Sequence, residues 1–435
     1  MKSIPVVSKD VFWPFVLITS LFALWGFANA VTDPMVTAFK KVLELNNFQA
    51  SLVQLAFYGG YFTMALPASL FIRKYSYKVG VLIGLFLYAA GALLFYPAAV
   101  TEQFGFFLVG LYILTFGLAF LETTANPYIL SMGAKETATQ RLNLAQAFNP
   151  VGLLAGLLVA QQFVLRKLQS DDVDFASLSD SAKATIRQTD LMVIRDPYVV
   201  LGLAVILILV LILINKMPES KDSATKLSTM QIIGGLVRKA KYAQGVLAQV
   251  FYVGAQIMCW TYIYQYAESI GISAEEAGNY QFVAFVIFFL GRFICTFLLK
   301  YVNAGKLLSL LALLAIIFTL GVIFIQGIYG LYSLVMISFC MSLMFPTIYG
   351  IALEGLSEDE AKIGAAGLVM AIVGGALMPA LQGLVLDLGG PGYTDLEGIP
   401  EVNLSFGLPL LCFVFISIYG YRMMTAKPAD NVLQS

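Results

Sequence analysis

Histidine is absent from all 435 residues, and charge is scarce: Asp, Glu, Lys and Arg together make up 12% of the chain. Without histidine, any proton relay has to be built from carboxylates. The same absence excludes HExxH zinc chemistry and Ser-His-Asp triads. No GxSxG nucleophile motif occurs either, so an enzyme is not expected. Scarce charge sets the chain apart from soluble proteins, in which about a quarter of residues are charged. The basic and acidic residues, 26 of each, cancel to a net charge of zero, and no long basic run points to a nucleic-acid partner. Cysteine is limited to Cys259, Cys295, Cys340 and Cys412, all in apolar stretches and without CxxC spacing. They read as small buried hydrophobes rather than a disulfide framework or metal site, and no cofactor is implied.

What the chain has in abundance is apolar length. Hydrophobic residues make up 59% of it, with a mean hydropathy of +0.83. A bilayer crossing takes about 20 apolar residues. Twelve such segments can be marked between charged or turn-rich punctuation, near residues 11–36, 48–72, 79–100, 104–131, 142–166, 197–215, 243–268, 277–299, 305–325, 329–353, 363–387 and 404–423. Lys2 and Lys9 ahead of the first give it the look of a signal peptide, but it is too long for one and reads as a span. The expected fold class is an all-α membrane protein with twelve transmembrane helices in two six-helix bundles. If both termini are cytoplasmic, most Lys and Arg fall on that side. The basic residues left outside are Lys40, Lys41, Arg166, Lys167, Lys183, Arg187 and Arg195. That asymmetry satisfies the positive-inside rule. The polar stretch in the middle divides the chain into an N-terminal bundle (1–215), a cytoplasmic linker (216–242) and a C-terminal bundle (243–435).

The halves echo each other weakly. Basic residues follow span 2 (Arg73, Lys74, Lys78) and span 8 (Lys300, Lys306). Spans 4 and 10 carry Pro127-Tyr128 and Pro346-Thr347. Parallel repeats of this kind are expected of two-bundle transporters. Aligning the two prolines sets Glu122 opposite Met341, so the first half alone holds that acid.

Two carboxylates stand out within this apolar frame. Asp33 is the only charge between Lys9 and Lys40 apart from Asp10, and Glu122 is the only charge between Glu102 and Lys135. Intramembrane acids are costly and usually face water or a partner. Arg292, in span 8, is the only deep cation. One arginine cannot neutralise two acids on different helices, and Arg292 reads as a gating or structural residue near the cytoplasmic face. Trp25, Asn29 and Asp33 recur at i, i+4 and i+8, on one helical face. Glu122 and Asn126 are one turn apart. Asn143, Gln146 and Asn149 form an amide stripe in span 5, and Gln249, Tyr252, Gln256 and Trp260 form a second set in span 7. Acids, amides and aromatic faces together suit a sugar, whose hydroxyls need donors and acceptors and whose ring stacks on aromatics. Hydrogen bonding between neighbouring helices is the plainer reading of either amide set.

Several of these segments resemble the L-fucose/proton symporter family of the major facilitator superfamily. The resemblance rests on Gly26-Phe27-Ala28-Asn29 leading to Asp33, on Asn47-Phe48-Gln49-Ala50, and on Leu121-Glu122-Thr123-Thr124-Ala125-Asn126-Pro127. It extends to Arg141 through Asn149 and to Phe251-Tyr252-Val253-Gly254-Ala255-Gln256. It implies the twelve-helix fold of that superfamily and alternating-access import of a sugar with a proton. Carried over by position, Asp33 takes up and releases the proton, and Glu122 serves both coupling and sugar binding. Gln146 and Asn149 line the pocket, and Trp25 and Trp260 match aromatics near the cavity. Asn29, Asn126 and Gln256 complete the expected substrate-binding set. The family's fucose transporters have an asparagine where this chain has Ala30, and a tyrosine where it has Phe345. Those departures leave the sugar open. The loop motif after span 2 is also degenerate near Arg73.

The expected function is therefore proton-coupled import of L-fucose or a related hexose or deoxy sugar across a bacterial inner membrane, with the lipid bilayer and the sugar as partners and the monomer as working unit. Sodium coupling and proton/drug antiport on the same fold are the alternatives. A channel is disfavoured because no ring of charges or filter-like repeat is present.

Overall fold

The computed structural model describes residues 5–45, 47–169, 178–218, 228–387, 395–396 and 398–425. Within these the chain is helical, apart from a two-stranded antiparallel hairpin in which β1 (Asp395–Leu396) pairs with β2 (Ile399–Pro400). Lipid offers no hydrogen bonds to the backbone, so a chain this apolar has to satisfy its peptide groups within helices. In order they are α1 (Phe12–Val42), α2 (Asn47–Lys74), α3 (Tyr77–Leu93), α4 (Phe95–Thr101), α5 (Phe104–Ser131), α6 (Ala138–Gln146), α7 (Asn149–Val159) and α8 (Asp180–Ile214). After the middle stretch come α9 (Thr229–Arg238), α10 (Ala240–Thr261), α11 (Ile263–Ser269), α12 (Ala274–Leu298), α13 (Ala304–Phe324) and α14 (Ile328–Met341). The last are α15 (Met344–Leu353), α16 (Glu358–Met370), α17 (Gly374–Asp387), α18 (Glu401–Ser405) and α19 (Gly407–Thr425).

Among the described residues, 11 helical stretches are long and apolar enough to cross a membrane, several of them built from two of these helices end to end. The 28-residue α2 is a further long helix outside that set. The expected 104–131 segment coincides with α5. Span 6 differs: α8 begins at Asp180, well before the apolar run starts near residue 197. Its polar first half is held by charge pairing, with Lys183 and Arg187 on Glu44 at 2.8 and 3.1 Å and Arg187 Nε on the Val42 carbonyl at 3.1 Å. Spans 5 and 10 are each broken, after Gln146 and after Met341.

The chain divides into two compact units. One comprises Val7–Met132 with Phe148–Asp222, and the other Met1–Val6, Gly133–Ala147 and Ser223–Ser435. In the first, α7 lies against α1 at backbone distance. A Cβ on Gly152 would overlap the Ala23 carbonyl, and one on Gly26 would overlap the Asn149 carbonyl. Small residues four apart, such as Gly152 and Gly156, allow this approach where lipid gives helices no hydrophobic reason to associate. Glycines also bring α3 against α5, with Gly84 on Leu121 and Gly117 on Tyr88.

In the second unit, α6 packs on α12 and α15. Its Thr139 fills the space left by Gly350, and Gln140 Nε2 donates to the Thr296 carbonyl at 3.3 Å. The same unit buries Arg141 completely, its guanidinium donating to the carbonyls of Val6 and Ala134 at 3.2 and 3.4 Å. All four cysteines are buried and unbridged.

Candidate functional site

In the first unit, α1 runs unbroken through Trp25, Asn29 and Asp33, so the three share a helical face. Trp25 is buried against Phe22, with ring centroids 4.9 Å apart. Its indole N–H makes no well-formed hydrogen bond, although the Tyr61 hydroxyl of α2 is within reach. Asn29 is half-buried, and among the described residues its Oδ1 has no donor. The side chain of Asp33 lies outside the described residues. Beside it, Thr32 donates to the Ala28 carbonyl at 2.8 Å and meets the Tyr198 hydroxyl at 3.4 Å.

Glu122 occupies a singular position on α5. From Gly117 to Ile129 every residue is buried except this one. Among the described residues no Lys or Arg pairs with its carboxylate, and its field reaches the buried Tyr61 hydroxyl. A carboxylate in that setting has to be hydrated or protonated. Asn126, one turn further and fully buried, donates to the Glu122 carbonyl at 3.0 Å. Asn149, at the start of α7, is half-buried and donates to the Phe22 carbonyl at 3.2 Å. Trp25 and Asn149 both meet Phe22, one by ring contact and the other by a hydrogen bond to its carbonyl, and Tyr61 lies near Trp25 and Glu122 in the same unit. Tyr61 carries no mark in the sequence that separates it from the other aromatics of α2.

The amide stripe of span 5 does not lie along one helix. It falls across the break between α6 and α7, where Pro150 occupies the first turn of α7. Asn143 is fully buried in the second unit. It donates to the Thr139 carbonyl at 2.9 Å and to the Thr347 hydroxyl at 3.1 Å. Gln146 is buried in the same unit, and its carbonyl accepts from Arg292 Nη1 at 3.3 Å. Three amides with the same spacing thus differ in setting: Asn143 ties helices together, while Gln146 and Asn149 sit on either side of the break.

The span 7 set divides as well. Trp260 donates from Nε1 to Ser338 at 3.1 Å, with Phe285 and Phe288 edge-on at 4.8 and 5.1 Å. Tyr252 donates to the Met341 carbonyl at 3.1 Å, satisfying the last carbonyl of α14. Gln256 is half-buried. Gln249 is fully buried, and among the described residues neither of its amide atoms has a partner. Arg292 is 3% exposed and lies over the Phe288 ring at 4.9 Å.

A sequence model of the Major Facilitator Superfamily matches residues 15–379. The L-fucose-proton symporter of Haemophilus influenzae is 57% identical over 424 residues, covering 96% of this chain and 98% of that protein. A glucose/galactose transporter of Brucella abortus is 31% identical over 406 residues, covering 93% and 92%. The crystal structure of a variant of the E. coli fucose:proton symporter superposes with a TM-score of 0.86 at 34% identity, covering 97% of this chain and all of that one. The chain belongs to the L-fucose/proton symporter family of the major facilitator superfamily.

Proposed function

We propose that this protein imports L-fucose, or a closely related hexose or deoxy sugar, together with a proton. The observation that carries this reading is the 57% identity, over nearly the whole of both chains, with a protein described as an L-fucose-proton symporter. Transport rather than catalysis follows from the same comparison, and no cofactor is needed.

In this reading Asp33 binds and releases the coupling proton. Glu122, the lone accessible position in a buried stretch of α5, couples and contacts the sugar. Gln146, Asn149, Asn29, Asn126 and Gln256 supply amide contacts, and Trp25 and Trp260 supply apolar faces. Protonation matters because a charged, unpaired acid opposes closure of the site around the sugar. The chain crosses a bacterial inner membrane twelve times as a monomer, with residues 1–215 and 243–435 as six-helix bundles joined by 216–242 and both termini in the cytoplasm.

A glucose- or galactose-like substrate is the second reading. It is favoured by the 31% identity with a protein described as a glucose/galactose transporter, and Phe345, whose ring meets Tyr349 and Tyr252 at 6.3 and 6.1 Å, brings no hydroxyl to the pocket. Uptake of labelled L-fucose, galactose and glucose into proteoliposomes at two external pH values, with and without sodium, tests both. Accumulation of L-fucose driven by external acid and indifferent to sodium is the expected result. Sodium-dependent uptake, or no sugar uptake, overturns it.

A further inference from the structure

In a membrane helix every carbonyl needs a donor from within the protein. For the Gln146 carbonyl the helical donor is the amide of residue 150, which is proline and has none. The helix stops there, α6 ending at Gln146 and α7 starting at Asn149. Arg292 Nη1, from α12, donates to this carbonyl at 3.3 Å. The rest of the guanidinium is sparsely served. Among the described residues its Nε has no acceptor and no carboxylate pairs with it, and Phe288 covers one face at 4.9 Å. A cation buried without an anion is costly and calls for a reason beyond packing. The remainder of α6 does not need it, because Gln140 on Thr296 and Asn143 on Thr347 already hold that helix in place. On α6, the contact Arg292 makes is with the last turn, the one that ends in Gln146.

We propose that Arg292 is a positioning residue for Gln146: it supplies the hydrogen bond that Pro150 withholds from the Gln146 carbonyl, and so fixes the orientation in which the Gln146 side chain meets the sugar. This rests on the reading of Gln146 as a sugar contact. Arginine suits the task because its flat face stacks on an aromatic ring while one N–H reaches the carbonyl.

The test is a cycle on the full-length protein purified in detergent, with L-fucose binding as the readout for Arg292→Met, Pro150→Ala, the double variant and Gln146→Ala. Arg292→Met is expected to weaken binding about tenfold, the scale of one hydrogen bond to a charged group. Pro150→Ala alone is expected to bind like wild type. The double variant should recover to within about threefold, since Pro150→Ala restores the missing backbone N–H. A cation with a merely structural role would not be rescued by a backbone amide one helical turn beyond Gln146. A double variant as weak as Arg292→Met, or unimpaired binding by Arg292→Met, overturns the proposal. If Gln146→Ala binds normally, the sugar-contact reading falls and the proposal with it. Weak Gln146→Ala without rescue overturns the proposal alone. Should Arg292→Met not fold, Arg292→Gln with and without Pro150→Ala carries the same comparison.

Discussion

The side-chain amide of Asn143 donates to the Thr347 hydroxyl at 3.1 Å, and both residues are completely buried. The pair ties α6 to α15, and the same amide also satisfies the Thr139 carbonyl. Removing one partner leaves the other without its bond in a dry setting. Asn143→Leu is therefore expected to lower stability by about 1–2 kcal/mol, with sugar affinity nearly unchanged. Thermal unfolding of Asn143→Leu, Thr347→Val and the double variant checks this. Additive losses would show that the two residues do not act as a pair.

Much of the architecture could be read in advance because membrane helices must be apolar and their ends are marked by charge. The α5 segment, bounded by Glu102 and Lys135, is the clearest case. The start of α8 could not be read that way, since residues 180–196 are polar yet helical, held by pairs such as Lys183 with Glu44. The amide stripe shows the same limit at the site. Asn143, Gln146 and Asn149 are equivalent by spacing. Only the break at Pro150 and tertiary partners such as Thr347 and Phe22 separate a packing amide from candidate sugar contacts. Trp260 likewise reads as a stacking face by sequence, but its indole N–H is committed to Ser338.

The close crossing of α1 and α7 has a steric consequence. A Cβ at Gly152 meets the Ala23 carbonyl, which cannot move aside as a flexible side chain would. Gly152→Ala is expected to cost about 1–3 kcal/mol by forcing the helices apart. It should also weaken sugar binding, because Asn149 is anchored across this crossing to the Phe22 carbonyl. Unfolding temperature and binding measured on the same sample check both effects. A variant with wild-type values in each would refute the backbone-contact argument.

Outside the long apolar helices, Glu44 lies between α1 and α2. The hydrogen bond from Lys183 holds its carboxyl below the ordinary range, aided by the charges of Lys183 and Arg187 and opposed by slight desolvation. A carboxyl depressed in the folded state contributes stability above its unfolded pKa and loses it as pH falls through the folded value. With 43% of the Glu44 side chain exposed, screening keeps the contribution below about 1 kcal/mol. Glu44→Gln should lower the unfolding temperature slightly at neutral pH and low salt. The difference should vanish in strong acid or high salt. A difference that persists in acid would mean that the charge is not its source.

Glu122 and Asp33 are expected to separate under substitution. No Lys or Arg among the described residues pairs with Glu122, so Glu122→Gln strands no buried cation and should unfold at nearly the wild-type temperature. Glu122→Ala should weaken L-fucose binding about tenfold by removing a charged hydrogen-bond acceptor. Asp33→Asn mimics the protonated form permanently. The loaded carrier could then still reorient, because no naked charge opposes closure, but no proton would be carried. Exchange of labelled for unlabelled sugar should persist, while accumulation against a gradient should disappear at every external pH. Proteoliposomes with and without an imposed pH gradient measure the two activities side by side. Gradient-driven accumulation by Asp33→Asn would move the coupling role to Glu122, the other acid in the apolar spans of the first half.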